Sequence, residues 1–525
     1  MAAIKRALLT CSDKSGLVEF ARELHQMGVE LVSTGGTAAA ISGAGIPVRH
    51  VSELTGFPEM MDGRVRTLHP NIHGALLALR DNPEHMKTAQ EHGIQLIDMV
   101  VVNLYPFRET VTRPDVTLED AIENIDIGGP SMLRSASKNY RSVTVVCDPA
   151  RYPQIVGEMK ANAGEVTEAT RAELAVEAFG HTAAYDSAIW SWLCDRLTPA
   201  GEAEAVLPAV IETRWEKVQD ARYGENPHQR GAFYRDPGEL RGLAKVRQLH
   251  GMELSFLNFF DTDAALAVVR DLEKAFARPA ASIIKHATPC GAAVADMLEA
   301  AFRDALASDP LSAFGGIIGL SRPVDLATAQ AIREAGLVHI VAAPSFDPDA
   351  LDLLKKRKSV RLLEFADLAV PAPGELDFKR VAGGALVQDR DQGEPPDVST
   401  LKQASRPASA EELAALAFAW RAVKHVKSNA IVLAQGTKTV GIGGGQTSRV
   451  DAAMIAVRHA GERAKGSVMA SDAFIPKPDT VEVAAEAGVT AIIQPGGSEG
   501  DEECFAVARE HNIAMVLTGM RHFRH

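Results

Sequence analysis

The sequence predicts an α/β protein in two main parts, and three observations predict it. Strand-like apolar runs alternate with helical periods through the first two hundred residues, the pattern of a parallel sheet with helices on both faces. An aperiodic Ala/Pro/Gly/Glu-rich stretch, TPAGEAEAVLPAV, then breaks that pattern near residue 200, where a domain boundary is expected. Beyond it, strands and helices resume to the end of the chain.

In order, RALLTCS (Arg6–Ser12) reads as a strand and Gly16–Met27 as a helix. VELVSTGGTAAAI reads as strand, glycine turn and helix; LIDMVVVNLYPF is a buried strand closed by Pro106. TLEDAIENI is helical, SVTVVCDP is a further buried strand, and ELAVEAFGHTAAYDSAIWSWLCDRL keeps a long helical period. In the second part the clearest helix is SAEELAALAFAWRAVKHVKSN. Ser409 and Glu412 make a capping-box pattern, and Leu413, Leu416, Ala417, Trp420 and Val423 share an apolar face. AIVLA and TVGIGGG read as strands and VDAAMIAVRHA as a helix, while residues 371–380 and 391–400 read as loops. No short-period repeat is evident.

The chain has 525 residues, 46% hydrophobic and 23% charged, ordinary values for a globular protein of roughly two to four domains. A net charge of −13 argues against a broad nucleic-acid surface but allows a local basic pocket for a small anion. The five cysteines are dispersed and form no C-x-x-C pair, so neither a disulfide framework nor a cysteine-rich zinc site is indicated. The N-terminal residues lack a signal-peptide core, and no run reaches the roughly 18 apolar residues of a membrane span. A reduced cytoplasm, with no membrane association, is the expected setting.

Several stretches carry chemistry. In ASIIKHATPCGAAVA, a short buried strand, Ser282–Ile284, stops at Lys285-His286, and Thr288-Pro289-Cys290-Gly291 follows as a turn signal. Two cationizable groups at a strand end are either trimmed to solvent or aimed into a site, since open α/β sheets bind ligands at strand ends. STGGT (Ser33–Thr37) follows a strand and opens a helix: either a phosphate cradle or a plain turn. GFPEMMDGRVRTLHPNIHG (56–74) is long and irregular and carries Arg64, Arg66, His69 and His73, suiting either anion capture or solvent. ENIDIGGPSMLRSASKNY sets Asp126 before Gly128-Gly129 and Lys138 at a helix end, and RYGENPHQ (222–229) suits polar recognition better than packing. Other motifs fail. GIGGGQ has Gln446 where a dinucleotide fingerprint needs glycine, and GERAKGS lacks the Gly-Lys-Ser/Thr of a phosphate loop. Pro289-Cys290 lacks the H-x-E and second cysteine of a zinc deaminase, and no H-E-x-x-H occurs, so no metal site is expected.

Together, SDKSGL, STGGT, ELTGFPEMMDGRVRTLHP, NLYPF, IDIGGPSMLRSASKN, RYGENPHQ, KHATPCGAA, DPLSAFGG, KSNAI, GIGGGQTSR, SDAFIP and RHFRH closely resemble, in order and over essentially the whole chain, the bifunctional purine biosynthesis family. In that family phosphoribosylaminoimidazolecarboxamide (AICAR) formyltransferase is fused to inosine monophosphate (IMP) cyclohydrolase. The resemblance implies a methylglyoxal-synthase-like cyclohydrolase domain over residues 1–198. It implies a formyltransferase over 199–525, built of two cytidine-deaminase-like α/β units without zinc. It further implies 10-formyltetrahydrofolate as formyl donor and a homodimer with transferase sites at the subunit interface.

The resemblance also assigns residues. For formyl transfer, His286 would take the proton of the attacking amine, and Lys285 would stabilise the oxyanion or protonate the leaving folate nitrogen. An adjacent cation should keep that histidine neutral. Arg222, Tyr223, Gly315, Asn429, Arg449, Phe474 and Arg521 match ribonucleotide contacts, and Asp479, Ser498 and Glu499 match folate-side positions. For ring closure, Ser12, Asp13, Lys14, Thr34, Gly35, Gly36, Thr37, Arg64, Thr67 and Asn103 match the nucleotide pocket. Lys138 matches the proton donor and acceptor, with Tyr105 and Asp126 nearby. The chain departs from the family twice: Arg66 stands where lysine is usual, read as a fixed cation, and His339 replaces an acidic substrate contact. Two rivals are a nucleotide-sensing regulator without catalysis and a zinc-type deaminase; the joint presence of Lys138, Asp126 and Tyr105 argues against the first.

Overall fold

Strands β1 (Arg6–Cys11), β2 (Glu30–Ser33), β3 (Arg49–His50), β4 (Met99–Asn103) and β5 (Thr144–Val146) form one sheet in the order β3-β2-β1-β4-β5. All its pairings are parallel. The computed structural model describes residues 3–58, 60–61, 64–197, 207, 210–236, 241–365, 368, 375–393 and 397–525. The sheet is covered on both faces, so its strands are apolar throughout: Leu8, Val32, Val100 and Val145 have no exposed surface. Each such aliphatic side chain stabilises the unit by about 1.5–3 kcal/mol. From β1 the chain winds outward to β2 and β3, then returns to add β4 and β5 on the other side. That reversal opens a crevice at the carboxyl ends of β1 and β4.

The chain divides into two compact units, Met1–Glu212 and Thr213–His525. The division lies past the boundary expected at 198/199. Glu212 stays with the first unit, where its Oε2 accepts a hydrogen bond from Ser187 Oγ at 3.2 Å on the long helix Glu168–Leu197. Most of the aperiodic stretch, 198–206 and 208–209, lies outside the described residues.

The second unit opens with a hairpin of β6 (Glu216–Ala221) and β7 (Gly231–Arg235). Its centre is a twelve-stranded sheet that is mixed rather than parallel. The first half holds β8 (Arg247–His250), β9 (Ala280–Lys285), β10 (Thr288–Val294), β11 (Ile317–Leu320), β12 (Ile340–Ala343) and β13 (Arg361–Glu364). A peripheral hairpin of β14 (Leu376–Val381) and β15 (Gly384–Asp389) follows, so part of the expected 371–380 loop is strand. Residues 371–374 and 394–396 lie outside the described residues. The second half holds β16 (Lys402–Gln403), β17 (Ile431–Gln435), β18 (Lys438–Gly443), β19 (Val468–Ser471), β20 (Ala491–Gln494) and β21 (Ala514–Leu517).

The halves repeat one topology. The strand orders β8-β13-β12-β11-β9-β10 and β16-β21-β20-β19-β17-β18 meet where β10 runs antiparallel to β18. Each half runs edge strand, helix, antiparallel hairpin, helix and three mutually parallel strands, with Phe256–Phe276 and Ala410–Val423 as equivalent first helices. The match reaches single residues. A Cβ on Gly291 of β10 would overlap Ala305 O of the next helix, and one on Gly441 of β18 would overlap Ala456 O of its own next helix. Close packing of helix on strand is therefore what Gly441 and Gly443 of GIGGGQ serve.

The turn expected at Thr288-Pro289-Cys290-Gly291 is strand β10 instead. The chain reverses one step earlier, at His286-Ala287, with φ of 55° and 57°; both residues are left-handed, as a two-residue hairpin requires. A bulge between Pro289 and Gly291 accommodates the proline, which has no N–H to give the ladder. The Ser409 cap is formed as expected: Glu412 N donates to Ser409 Oγ at 3.2 Å and Ser409 N to Glu412 Oε2 at 2.8 Å.

Candidate active sites

At the crevice of the first unit lies a cavity of about 610 Å³. Three strand ends build it. The loop after β1 supplies Ser12 and Lys14 and is tied to β4: Asp13 N donates to Asn103 Oδ1 at 2.8 Å, and Asn103 Nδ2 donates to Asp13 O at 2.9 Å. After β2, Thr34 occupies the N-cap of the helix Gly35–Gly43 without a side-chain cap bond, leaving that helix start suited to an anion. The Thr37 hydroxyl accepts from Cys11 N at 2.9 Å and donates to Cys11 O at 3.0 Å, which fastens the helix start to β1.

Arg64 and Arg66 also line the cavity, Arg66 beside this helix start. Arg64 pairs with Glu123. Arg66 Nη1 lies 2.9 Å from where a Cβ on Gly35 would sit, and Gly35 has φ of 45°, a left-handed conformation that favours glycine. Asp126 and Tyr105 complete the wall. Gly129 N donates to Asp126 Oδ1 at 2.8 Å at the start of the helix Gly128–Lys138. The two glycines are sterically dictated: a Cβ on Gly128 would stand 2.7 Å from Thr67 Oγ1, and one on Gly129 would overlap the Asp126 carboxylate. Burial pushes the Asp126 carboxyl above its ordinary value, although amides of Gly129, Gly128 and Tyr105 pull it down. A carboxyl raised in this way holds a proton more readily than a solvated one, which suits it to proton transfer.

In the second unit the groups gather along one edge of the twelve-stranded sheet. Because β9 is antiparallel to β11 and β17 antiparallel to β19, this edge collects the end of β9, the start of β11 and β12, the start of β17 and the end of β19. Lys285 Nζ donates to Phe314 O at 3.2 Å, and Gly315 has φ of 75°, with the His339 ring 3.5 Å from where its Cβ would be. Asp261, buried in the helix Phe256–Phe276, accepts from Ala287 N at 2.7 Å and so fixes the turn that exposes His286. Burial raises the Asp261 carboxyl, against the pull of that amide and the nearby His286. Across the seam, Asn429 Oδ1 accepts from Arg449 Nη2 at 2.9 Å. The C-terminal segment is stitched to this edge, with His522 N donating to Asp472 O at 2.9 Å and Ser428 N to Arg524 O at 2.8 Å. It carries Arg521, whose guanidinium lies 4.5 Å from the Phe523 ring.

Residues 16–131 match the MGS-like domain model, and residues 136–459 match the AICARFT/IMPCHase bienzyme model. The chain is 52% identical to the bifunctional purine biosynthesis protein PurH of Magnetococcus marinus over 100% of both chains. It is 51% identical to that of Bacillus subtilis, over 99% of this chain and 100% of the relative. The chain belongs to the AICARFT/IMPCHase bienzyme family. It is a bifunctional enzyme, an AICAR formyltransferase and IMP cyclohydrolase of the final steps of de novo IMP synthesis.

With family membership in hand, the geometry sorts the sequence-derived residues. Ser12, Lys14, Thr34, Gly36, Thr37, Arg64, Arg66, Thr67, Asn103, Tyr105 and Asp126 line one cavity. Gly35 backs Arg66, whereas the Asp13 carboxylate turns to Ser15, accepting from its N at 2.9 Å and Oγ at 2.6 Å. Lys138 is not among the lining residues. It stands at the far end of the eleven-residue helix Gly128–Lys138, roughly 15 Å along the axis from Asp126, on a separate cavity with Arg134 and Phe179. Arg449 is buried, paired with Asp472 and bonded to Ser471 Oγ at 2.9 Å, so its fork holds Asn429 in place rather than standing open to a phosphate. Arg222 lies over the Tyr223 ring at 5.4 Å. Phe474 and Glu499 are exposed; Asp479 Oδ1 accepts from Thr480 N at 2.6 Å, and Ser498 Oγ from Gly500 N at 3.2 Å. His339 is held below its ordinary pKa by burial, Arg361 and Lys285.

Sequence reasoning missed Asp261. The one available signal for Asp261 is an acidic residue on the apolar side of a helix, in FLNFFDTDAALAVV. Among the described residues, no group of three or more His, Cys, Asp or Glu is arranged to hold a metal ion. Cys290 is buried, and burial pushes its thiol up to about 12. Among the described residues, no helix is long and apolar enough to cross a membrane.

Proposed function

We propose that ring closure takes place in the cavity of the first unit, and formyl transfer from 10-formyltetrahydrofolate along the site edge of the twelve-stranded sheet. What carries the first assignment is the meeting of Asp126, Tyr105, Arg66 and an uncapped helix start in one cavity of about 610 Å³. A ribonucleotide phosphate fits the helix start and its basic neighbours, and the reacting end then lies towards Asp126 and Tyr105. The carboxamide nitrogen attacks the formyl carbon, a proton leaves the nitrogen, and water departs with a second proton. Asp126 and Tyr105 are the cavity's proton-carrying groups for these steps, with Arg66 as a fixed cation beside the developing oxyanion.

In the second unit, the AICAR amine attacks the formyl carbon while His286 takes its proton. Lys285 stabilises the tetrahedral oxyanion, or protonates the folate nitrogen as it leaves. Arg222, Tyr223, Gly315, Asn429, Phe474 and Arg521 bind the ribonucleotide, Arg449 acts through Asn429, and Asp479, Ser498 and Glu499 face the folate. The two halves of the sheet are read as cytidine-deaminase-like units working without zinc. The five cysteines stand as free thiols, which supports a reduced, cytoplasmic setting.

The dimer expected from the family is supported by the position of Lys138. Beside it are the exposed apolar side chains Val176, 74% exposed, and Phe179, 40% exposed. A second copy covering this face would bring Lys138 to its partner's cavity as proton donor and acceptor. Two measurements test the reading. The wild-type chain, given AICAR and 10-formyltetrahydrofolate, should form IMP. Mixing Lys138→Ala with Asp126→Asn protein should restore ring closure that neither has alone, whereas a site complete within one chain gives no recovery.

A further inference from the structure

We infer that Tyr185 is a positioning residue for ring closure, one whose hydroxyl holds the Asn124–Asp126 segment and thereby aims the Asp126 carboxylate. The inference rests on the proposed role of Asp126 and deepens it. Tyr185 lies on the long helix Glu168–Leu197, distant in sequence from every residue lining the cavity. Its hydroxyl accepts from Asp126 N at 2.8 Å and donates to Asn124 O at 3.0 Å. One buried group therefore satisfies two backbone polar atoms, one at each end of the segment between two helices: Leu118–Glu123 ends before it and Gly128–Lys138 begins after it.

The rest of the geometry makes this hold consequential. The Asp126 carboxylate accepts from Gly129 N at 2.8 Å, with the amides of Gly128 and Tyr105 also drawn to it. Its direction into the cavity depends on where its own backbone is pinned, and Tyr185 makes that pin. Tyr185 is itself fixed: it is 8% exposed and meets Phe107 edge-on, with ring centroids 6.3 Å apart. Phe107 follows Tyr105 by two residues, so the helix that fixes Asp126 also supports the segment carrying the other proton-bearing wall group. The bonds of Tyr185 are both to backbone, so a change to phenylalanine keeps the ring packing and removes only the hold.

The test is Tyr185→Phe in the full-length chain, with formyl transfer as the control for folding. Ring closure of supplied formylated AICAR should lose about tenfold or more in kcat with KM nearly unchanged, because orientation rather than affinity is lost. The pH profile should shift as well. Burial of Asp126 is preserved by phenylalanine while its alignment with the Gly128 and Gly129 amides is loosened, so the acid limb should move to higher pH. The charged and titratable groups around it, Lys14, Arg64, Arg66, Glu123 and Tyr105 in the cavity and Asp186 beside Tyr185, are unchanged by this substitution.

A double mutant separates positioning from general support. In the Asp126→Asn background, Tyr185→Phe should add little; full multiplication of the two losses would overturn the inference. Wild-type kcat and pH profile in Tyr185→Phe would overturn it too, as would a loss of formyl transfer equal to that of ring closure. If Asp126→Asn itself closes the ring at the wild-type rate, the reading of Asp126 fails. If Asp126→Asn is crippled and Tyr185→Phe is not, the reading stands and only the role of Tyr185 falls.

Discussion

The two units assemble their candidate site groups by opposite routes. In the first, every strand is parallel, so all carboxyl ends point to one edge and a single crevice collects them into one cavity. In the second, a duplicated mixed sheet sends its ends to both edges, and the site edge draws on two halves related by the β10–β18 seam. There a single left-handed turn presents His286, and Arg449 and Asp261 work behind the surface groups. A parallel sheet needs few supports to make a pocket, whereas an edge site needs a buried polar scaffold to hold each group in place.

The sharpest way to test this contrast is His286→Ala. Formyl transfer should fall by about a hundredfold or more, as loss of a general base entails, while ring closure stays at the wild-type rate. Separate assays with AICAR and with supplied formylated AICAR check it; near-wild-type transfer would remove His286 from the base role.

Asp126→Asn should produce the complementary loss, about a hundredfold in ring closure with transfer intact. It should also change stability in a pH-dependent way. The folded carboxyl holds its proton more tightly than the unfolded one, because burial raises it. Its contribution to stability is therefore greatest below the unfolded value and is lost as pH rises through the folded value. Asparagine cannot ionise, so the variant should gain stability at neutral pH and lose that gain in acid, as thermal melts at the two pH values would show.

Gly129→Ala should cost ring closure about tenfold, because a Cβ there overlaps the Asp126 carboxylate and stands 2.7 Å from Leu104 Cδ2. Unchanged kinetics would mean that the Asp126 side chain can shift without consequence. The smallest effect is expected for Arg66→Lys. Both side chains supply a cation, and if Arg66 only stabilises charge, the rate should change less than about threefold. A large gain with a new pH dependence would instead assign position 66 a titrating role.

What was legible in the sequence follows from local physics. The apolar runs of β1, β4 and β5 and the Ser409 capping box announce themselves because burial and capping select residue types directly. The duplicated sheet does not, because its halves share topology and helix-facing glycines such as Gly291 and Gly441 rather than a short repeating pattern. Pro289 signals a turn by composition, yet the left-handed pair lies at His286-Ala287, and His and Ala are not residues that announce φ above zero. Asp126 and Lys138 sit close in sequence, but a whole helix separates them. Asp261 and Tyr185 are hidden for the same reason: a helical period reports which face is buried, not which distant backbone a buried polar group will meet.

The seam between the halves has a consequence for how the chain comes off the ribosome. Val294 N and Thr437 O, and Ala292 N and Thr439 Oγ1, close β10 against the β18 side at 2.8 and 3.0 Å. Until β18 exists, β10 is an unguarded strand edge on an otherwise complete half-sheet. Glu364 completes that half and Gly443 completes β18 about 80 residues later, which at translation rates of about 5–20 residues per second is a wait of roughly 4–16 s. During that interval the nascent first half carries an adhesive border, and crowded synthesis would favour strand exchange between neighbouring nascent chains.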